Sequence, residues 1–118
     1  MTDLLADTDV CIDHLTGRAR LPGRPSRLGN SVITRAELRA GAGGQDQHEA
    51  IRRLLGAMKE YDVDRQIAEE AGRIRREDGI RLPDALIAAT AMVHGLSVLT
   101  RNVGDFRRVS GLRVRPGG

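Results

Sequence analysis

Residues 82–106 read LPDALIAATAMVHGLSVLTRNVGDF, and this stretch decides the fold. Pro83 suits a first helical position, where its missing N–H costs nothing, and Asp84 follows in the first turn. Small and apolar residues continue to Val93, and His94 and Gly95 close the helix, with Gly95 as a left-handed cap. His94 reads as a partner for the helix dipole. Ser97-Val98-Leu99-Thr100 is then a short apolar strand, followed by a polar turn that carries Arg101, Asn102 and Asp105. A helix with an acid at its start feeds a buried strand with an acid beyond its end. Such an arrangement can bring two carboxylates to one edge of a sheet.

Working upstream, Leu4-Leu5-Ala6 reads as a buried strand ending at Asp7, with a helix from about Asp9 to Leu15 and Gly17 as its stop. Asp9 is read as the N-cap of that helix and Asp13 as exposed. Residues 17–30, rich in Gly, Pro, Arg and Ser, read as a surface loop. Ser31-Val32-Ile33 is taken as a second strand, and Thr34 as the start of a helix ending near Gly41. Ile51, Leu54, Leu55 and Met58 form one helical stripe, and Ile67, Ala71 and Ile74 a second, with Asp64 as N-cap. These two stripes are expected to pack together as a helical hairpin and to leave apolar surface for another subunit or partner. Leu112-Arg113-Val114 is a candidate edge strand. Short apolar strands separated by helices predict an α/β fold with a parallel sheet covered on both faces.

Four acids then stand at comparable places. Asp7 directly follows the first strand, Glu37 lies just past the second, Asp84 opens a helix and Asp105 follows the last apolar strand. Like charges gathered at one edge oppose folding unless a cation neutralises them, and oxygen ligands suit Mg²⁺ or Mn²⁺. Each acid also has a structural reading. Asp7 can end a strand in an Asx turn, and Glu37 completes a T-x-x-E capping box with Thr34. Asp84 complements a helix dipole, and Asp105 can close a turn. The histidines form no zinc pattern.

The stretches DALIAATA (84–91), LTRNVGDF (99–106), LLADTDVCID (4–13) and SVITRAELRAG (31–41) together resemble PIN-domain nucleases, particularly VapC-type toxins of bacterial toxin–antitoxin pairs. The resemblance runs in order over nearly the whole chain. It implies a single PIN domain over residues 1–118, with a three-layer α/β/α fold around a short central parallel sheet. It also implies a Mg²⁺-dependent endoribonuclease, Mn²⁺ being a possible substitute. Asp7, Glu37, Asp84 and Asp105 would hold the metal and carry the catalysis, with a metal-activated water attacking phosphorus in line. RNA, with tRNA or rRNA as targets, is implied as substrate. A VapB-type antitoxin whose C-terminal segment blocks the acidic groove is implied as partner, and a homodimer as the assembly. Some members carry an acid where this chain has Asn102, so Asp105 is the better candidate for the fourth acid and the metal count stays open at one or two. Thr100 and Asn102, together with Arg101, Arg107 and Arg108, are the expected contacts to substrate. An alternative is a PIN-fold module without activity that binds nucleic acid or a partner protein.

Composition agrees with one aromatic-poor core, since Tyr61 and Phe106 are the only aromatic residues. The lone Cys11 permits no intrachain disulfide and points to a reducing compartment. With neither a signal segment nor a long apolar run, a cytoplasmic protein with no membrane contact is expected. The formal net charge is +3, and residues 101–118 alone hold five arginines against Asp105. That basic tail suits a polyanion partner; it also fits an arginine-rich surface, because Lys59 is the only lysine. A receiver-like phosphatase would want a lysine beside its acids, and Lys59 is placed on a helix away from them.

Overall fold

The computed structural model of the chain describes residues 2–22 and 27–117. Leu4–Ala6 forms β1, and all three residues are buried, as an unbroken apolar run requires of a strand covered on both faces. Leu4 and Ala6 face one half of the core and Leu5 the other. After β1 come α1 (Thr8–Leu15), β2 (Leu28–Ser31), α2 (Val32–Gly41), α3 (Gln45–Gly56), β3 (Lys59–Tyr61) and α4 (Arg65–Asp78). The chain ends with α5 (Leu82–His94), β4 (Ser97–Thr100), α6 (Val103–Phe106) and β5 (Val114–Pro116). All five strands join one parallel sheet in the order β3-β2-β1-β4-β5. The chain builds outward from β1 to β3, then crosses to the other side for β4 and β5. The order therefore reverses between β1 and β4, where an open α/β sheet forms its ligand crevice.

Helices cover both faces, as expected. On one, α4 and α5 pack Ile67, Ala71, Ile74 and Ile87 against Leu5, Val98 and Phe106. On the other, Val10, Cys11, Leu38, Ile51, Leu54 and Leu55 pack against Leu4, Ala6 and Leu99. The expected hairpin between the two helical stripes does not form. Strand β3 lies between α3 and α4 and carries the chain across the sheet, so the stripes sit on opposite faces. The partner of α4 is α5, which buries Ala85, Ile87, Ala88, Ala89, Thr90 and Ala91. Burial nearly all round is why α5 shows little periodicity in sequence.

The second strand is Leu28–Ser31, not Ser31–Ile33. Val32 already opens α2, and Ser31 caps it by accepting from the Ile33 N–H at 3.0 Å. Thr34 is consequently an interior, fully buried helical residue, and the Thr34–Glu37 capping box is absent. Gly29 weakens the strand pattern for a packing reason: a Cβ there would meet the Tyr61 ring at 2.7 Å and the Lys59 carbonyl at 3.1 Å. Lys59 is on β3 rather than a helix, with its ammonium 5.2 Å from the Tyr61 ring centre.

Strand β5 lies two residues later than 112–114. Pro83 takes the second position of α5, and Gly95 caps that helix at φ 69°. Asp64 caps α4, accepting from the Ile67 N–H at 2.8 Å. Of the predicted 17–30 loop, residues 23–26 lie outside the described residues, and 28–30 belong to β2. Among the described residues no helix is long and apolar enough to cross a membrane.

Candidate active site

Asp7 is the first residue beyond β1 and the N-cap of α1. One carboxylate oxygen accepts from the Thr8 N–H at 2.8 Å, the other from the Thr100 hydroxyl, at the end of β4, at 2.7 Å. Only 5% of Asp7 is exposed. Burial pushes its carboxyl up from 3.8 to about 7; Asp9 and Asp84 push the same way, while the hydrogen bonds from Thr100 and Thr8 oppose them. Glu37, on α2, accepts from the Thr8 hydroxyl at 2.6 Å. That hydroxyl has one proton, so Thr34, 3.0 Å away, donates to Thr8 in turn.

Asp84 stands in the first turn of α5. Its carboxyl is raised chiefly by burial; Arg81 lowers it, and Glu37, Asp105 and Asp9 raise it further. Asp105, on α6, accepts from the Asn102 side-chain amide at 3.0 Å. These four acids line a single hollow of about 350 Å³ with Thr8, Asp9, Ile12, Arg81 and Asn102. The hollow lies over the carboxyl ends of β1 and β4, at the reversal of strand order.

Other residues take roles their local sequence does not give. Asp9 is no cap: it lies in the first turn of α1, where its carboxylate accepts from the Arg101 N–H at 3.1 Å and lines the hollow. Asp13 is buried rather than exposed, and its carboxylate holds the Arg101 guanidinium at 2.6 Å. Arg101, expected on the substrate, is thus tied to α1. Thr100 is fully buried, does not line the hollow and donates to Asp7; it also accepts from the Asn102 N–H at 2.9 Å. Asn102 does line the hollow. Arg107 and Arg108 are exposed just beyond α6, outside the hollow, with Arg108 3.9 Å from Asp105.

Asp9 and Arg81 are the charged lining residues that the sequence did not assign to the site, and Thr8 and Ile12 the uncharged ones; Asp9 and Arg81 left a local trace. Their signals were the acid pair at 7 and 9 and the i, i+3 spacing of Arg81 and Asp84.

Asp9 and Asp13 together fasten α1 to the turn that carries Asn102 and Asp105. Replacing Arg101 by Ala leaves the Asp13 carboxylate buried without its charged partner. The expected loss is about 1–3 kcal/mol, measured by urea unfolding. The double variant Asp13→Asn/Arg101→Ala should lose less than the two single losses combined, because the two residues share one interaction.

The hollow concentrates five carboxylates, Asp7, Asp9, Glu37, Asp84 and Asp105, against Arg81, the single cation that lines it among the described residues. Among the described residues no three such side chains are drawn close enough to hold an ion as they stand. Oxygen-only donors spread around a hollow with room for several waters fit a hard divalent cation that keeps part of its hydration, as Mg²⁺ does, and not a tight protein cage. The Asp7 carboxyl is raised first by burial and then by its acidic neighbours Asp9 and Asp84. Cys11 offers no nucleophile: it is fully buried, and burial with Asp7 and Asp9 pushes its thiol up to about 12.

A doubly wound sheet with a cluster of acids over its switch point places a candidate acidic active site where such sheets bind ligands. The PIN domain family matches residues 4–112, and the chain belongs to it. Among relatives, Ribonuclease VapC10 of Mycobacterium tuberculosis is 38% identical over 87% of this chain and 85% of its own. A tRNA(fMet)-specific endonuclease VapC of Salmonella typhimurium is 30% identical, with 97% of each chain covered. Among solved structures, DNA-bound VapBC from Salmonella typhimurium superposes with a TM-score of 0.85 at 27% identity, covering 98% of both chains.

Proposed function

We propose that the chain is a Mg²⁺-dependent endoribonuclease, Mn²⁺ being a possible substitute, and the toxin of a VapBC-type toxin–antitoxin pair. The observation that carries this reading is the hollow itself: Asp7, Glu37, Asp84 and Asp105, from four separate segments, line one space at the switch point of the sheet. Asp7, Asp84, Glu37 and Asp105 are the proposed ligands, and Asp9 faces the same space. A bound divalent cation would activate water for in-line attack on phosphorus and offset charge on the phosphoryl oxygens.

The chain's own contribution is orientation. Thr100 and the Thr8 N–H fix both oxygens of Asp7, and the Thr8 hydroxyl fixes Glu37. Asn102 steadies Asp105. Because the Asp7 carboxyl is pushed up to about 7, cation binding near neutral pH should release a proton from it.

The proposed substrate is RNA, with tRNA or rRNA as the target class. Arg107 and Arg108, exposed just beyond α6, are the proposed contacts to the phosphate backbone. Replacing both with Ala should weaken RNA binding at low salt. The slope of log affinity against log salt should shrink by about 0.7 for each phosphate no longer neutralised, while Mn²⁺ binding is retained. Fluorescence anisotropy across a salt series measures this, and an unchanged slope would reduce the tail to solvated surface.

The antitoxin's proposed seat is the groove of about 380 Å³ between α1, α2 and α3, lined by Ile12, Leu15, Leu38, Ala42, Ala50 and Ile51. It shares Ile12 and Glu37 with the acid hollow, and Ile12 is 44% exposed. An apolar segment seated there, followed by a cationic side chain, would block the acids. A homodimer and a cytoplasmic location belong to the same proposal; light scattering and fractionation test them. The function itself is tested in a bacterial host. Expression alone should arrest growth, and co-expression of the antitoxin should restore it. Unimpaired growth with abundant folded protein would contradict the reading and favour an inactive binding module.

A further inference from the structure

We propose that Arg81 is a catalytic residue that contacts the scissile phosphate, an assignment that rests on the ribonuclease reading above. Among the described residues it is the single cation lining the acid hollow. It occupies the N-cap position of α5, directly before the turn that bears Asp84. Its Nε lies 3.7 Å from Asp84 Oδ2, and its side chain is 73% exposed. That distance is within reach of charge attraction but beyond a hydrogen bond.

Three other arginines are committed elsewhere. Arg35 makes a fork on Glu60 at 2.5–3.0 Å, Arg101 holds Asp13, and Arg73 bridges Glu70 and Glu77. Arg81 alone combines a place in the hollow with a guanidinium free of hydrogen-bonded partners among the described residues.

The chemistry explains why one is needed. A phosphodiester is an anion and must approach five carboxylates. A guanidinium fork matches phosphate oxygens and is weakly hydrated, so it suits this contact better than an ammonium. In the free protein Arg81 partly offsets the charge of Asp84. A divalent cation gathered by the acids competes for that same carboxylate and repels the guanidinium, which is then available to the substrate.

Two roles for Arg81 therefore predict opposite signs in cation binding. If Arg81 only holds Asp84 in place, Arg81→Ala should weaken cation binding and cleavage together. If it is a phosphate contact that competes with the cation, Arg81→Ala should bind the cation more tightly and cleave more slowly.

The test uses the full chain. Mn²⁺ affinity is measured by titration calorimetry, and cleavage of a single-stranded RNA oligonucleotide by single-turnover kinetics. For Arg81→Ala we expect Mn²⁺ affinity to rise by up to about five-fold, the scale of an exposed ion pair. Cleavage should fall by roughly 10²-fold, the scale of removing one transition-state hydrogen-bond donor. Arg81→Lys should recover part of the cleavage, since it restores the charge without the fork. Cleavage within two- to three-fold of wild type, or Mn²⁺ affinity falling in parallel with cleavage, overturns the assignment. A wild-type protein that binds Mn²⁺ yet cleaves no RNA overturns the ribonuclease reading, and this assignment with it. An active wild type with an equally active Arg81→Ala overturns the assignment alone.

Discussion

In Mg²⁺, Asp84→Asn should cleave RNA about 10³-fold more slowly than wild type and bind it at least as well. The substitution keeps size and shape and removes one charge from the wall of the hollow. Asp84 is the acid delivered by α5, and its side chain is only 13% exposed. A catalytic cation contributes several kcal/mol to the transition state, and each 1.36 kcal/mol is a factor of about ten. A neutral amide in place of a ligand carboxylate should forfeit much of that. Binding should hold or tighten, because the carboxylate that is removed repels phosphate. Single-turnover cleavage in Mg²⁺ and RNA binding in EDTA measure the two quantities separately. Retained cleavage would remove Asp84 from the chemistry; failure to bind RNA would point to a damaged fold. Together with the Arg107/Arg108 pair, this variant separates catalysis from steering.

Without metal, Asp7→Asn should be more stable than wild type at pH 8, and with metal the advantage should shrink or reverse. The folded carboxyl titrates at about 7 against an ordinary value of 3.8, so the folded chain keeps a proton that the unfolded chain has already released. Stability tied to this group is complete below about pH 4 and falls as pH rises to about 7. Three pKa units at 1.36 kcal/mol each make that loss about 4 kcal/mol. Asparagine escapes the loss and still caps α1 well, since Asn and Asp are comparable N-caps. A gain of about 2–4 kcal/mol in EDTA at pH 8 is expected, fading toward pH 4. Cation at 100 times its dissociation constant adds about 2.7 kcal/mol to wild type, and little to a variant short of one ligand. Urea unfolding at both pH values, with EDTA and with Mn²⁺, gives the comparison. A variant that unfolds earlier than wild type in EDTA at pH 8 would make Asp7 a structural residue.

These two acids were legible because their signals are local. The apolar run Leu4–Ala6 ends at Asp7, and Pro83, Asp84 and Gly95 mark the start and stop of α5 in the letters themselves. Four of the five acids of the hollow, Asp7, Glu37, Asp84 and Asp105, were picked out from their order along the chain, and Asp9 was not. What stayed hidden depends on neighbours distant in sequence. Strand β2 carries Gly29 because the Tyr61 ring from β3 leaves no room for a Cβ, and that packing is invisible at residue 29. Strand β3 reads Lys-Glu-Tyr, with no apolar run to announce it, and its omission produced the false hairpin between α3 and α4. Asp9 and Asp13 look like a cap and a surface acid until β4 brings Arg101 to them from 92 and 88 positions away. The same contact ties the Arg101 guanidinium to α1, whereas Arg81 lines the hollow, a placement that only the fold reveals.

The acid hollow is proposed as a metal-dependent centre for RNA cleavage. The most direct measurement incubates total bacterial RNA with the purified protein in Mg²⁺ and in EDTA, then maps the new RNA ends by sequencing. A small set of discrete cuts in tRNA or rRNA should appear with Mg²⁺, vanish in EDTA, and be absent with Asp84→Asn. Cuts that persist in EDTA, or that Asp84→Asn makes as well as wild type, would contradict the account.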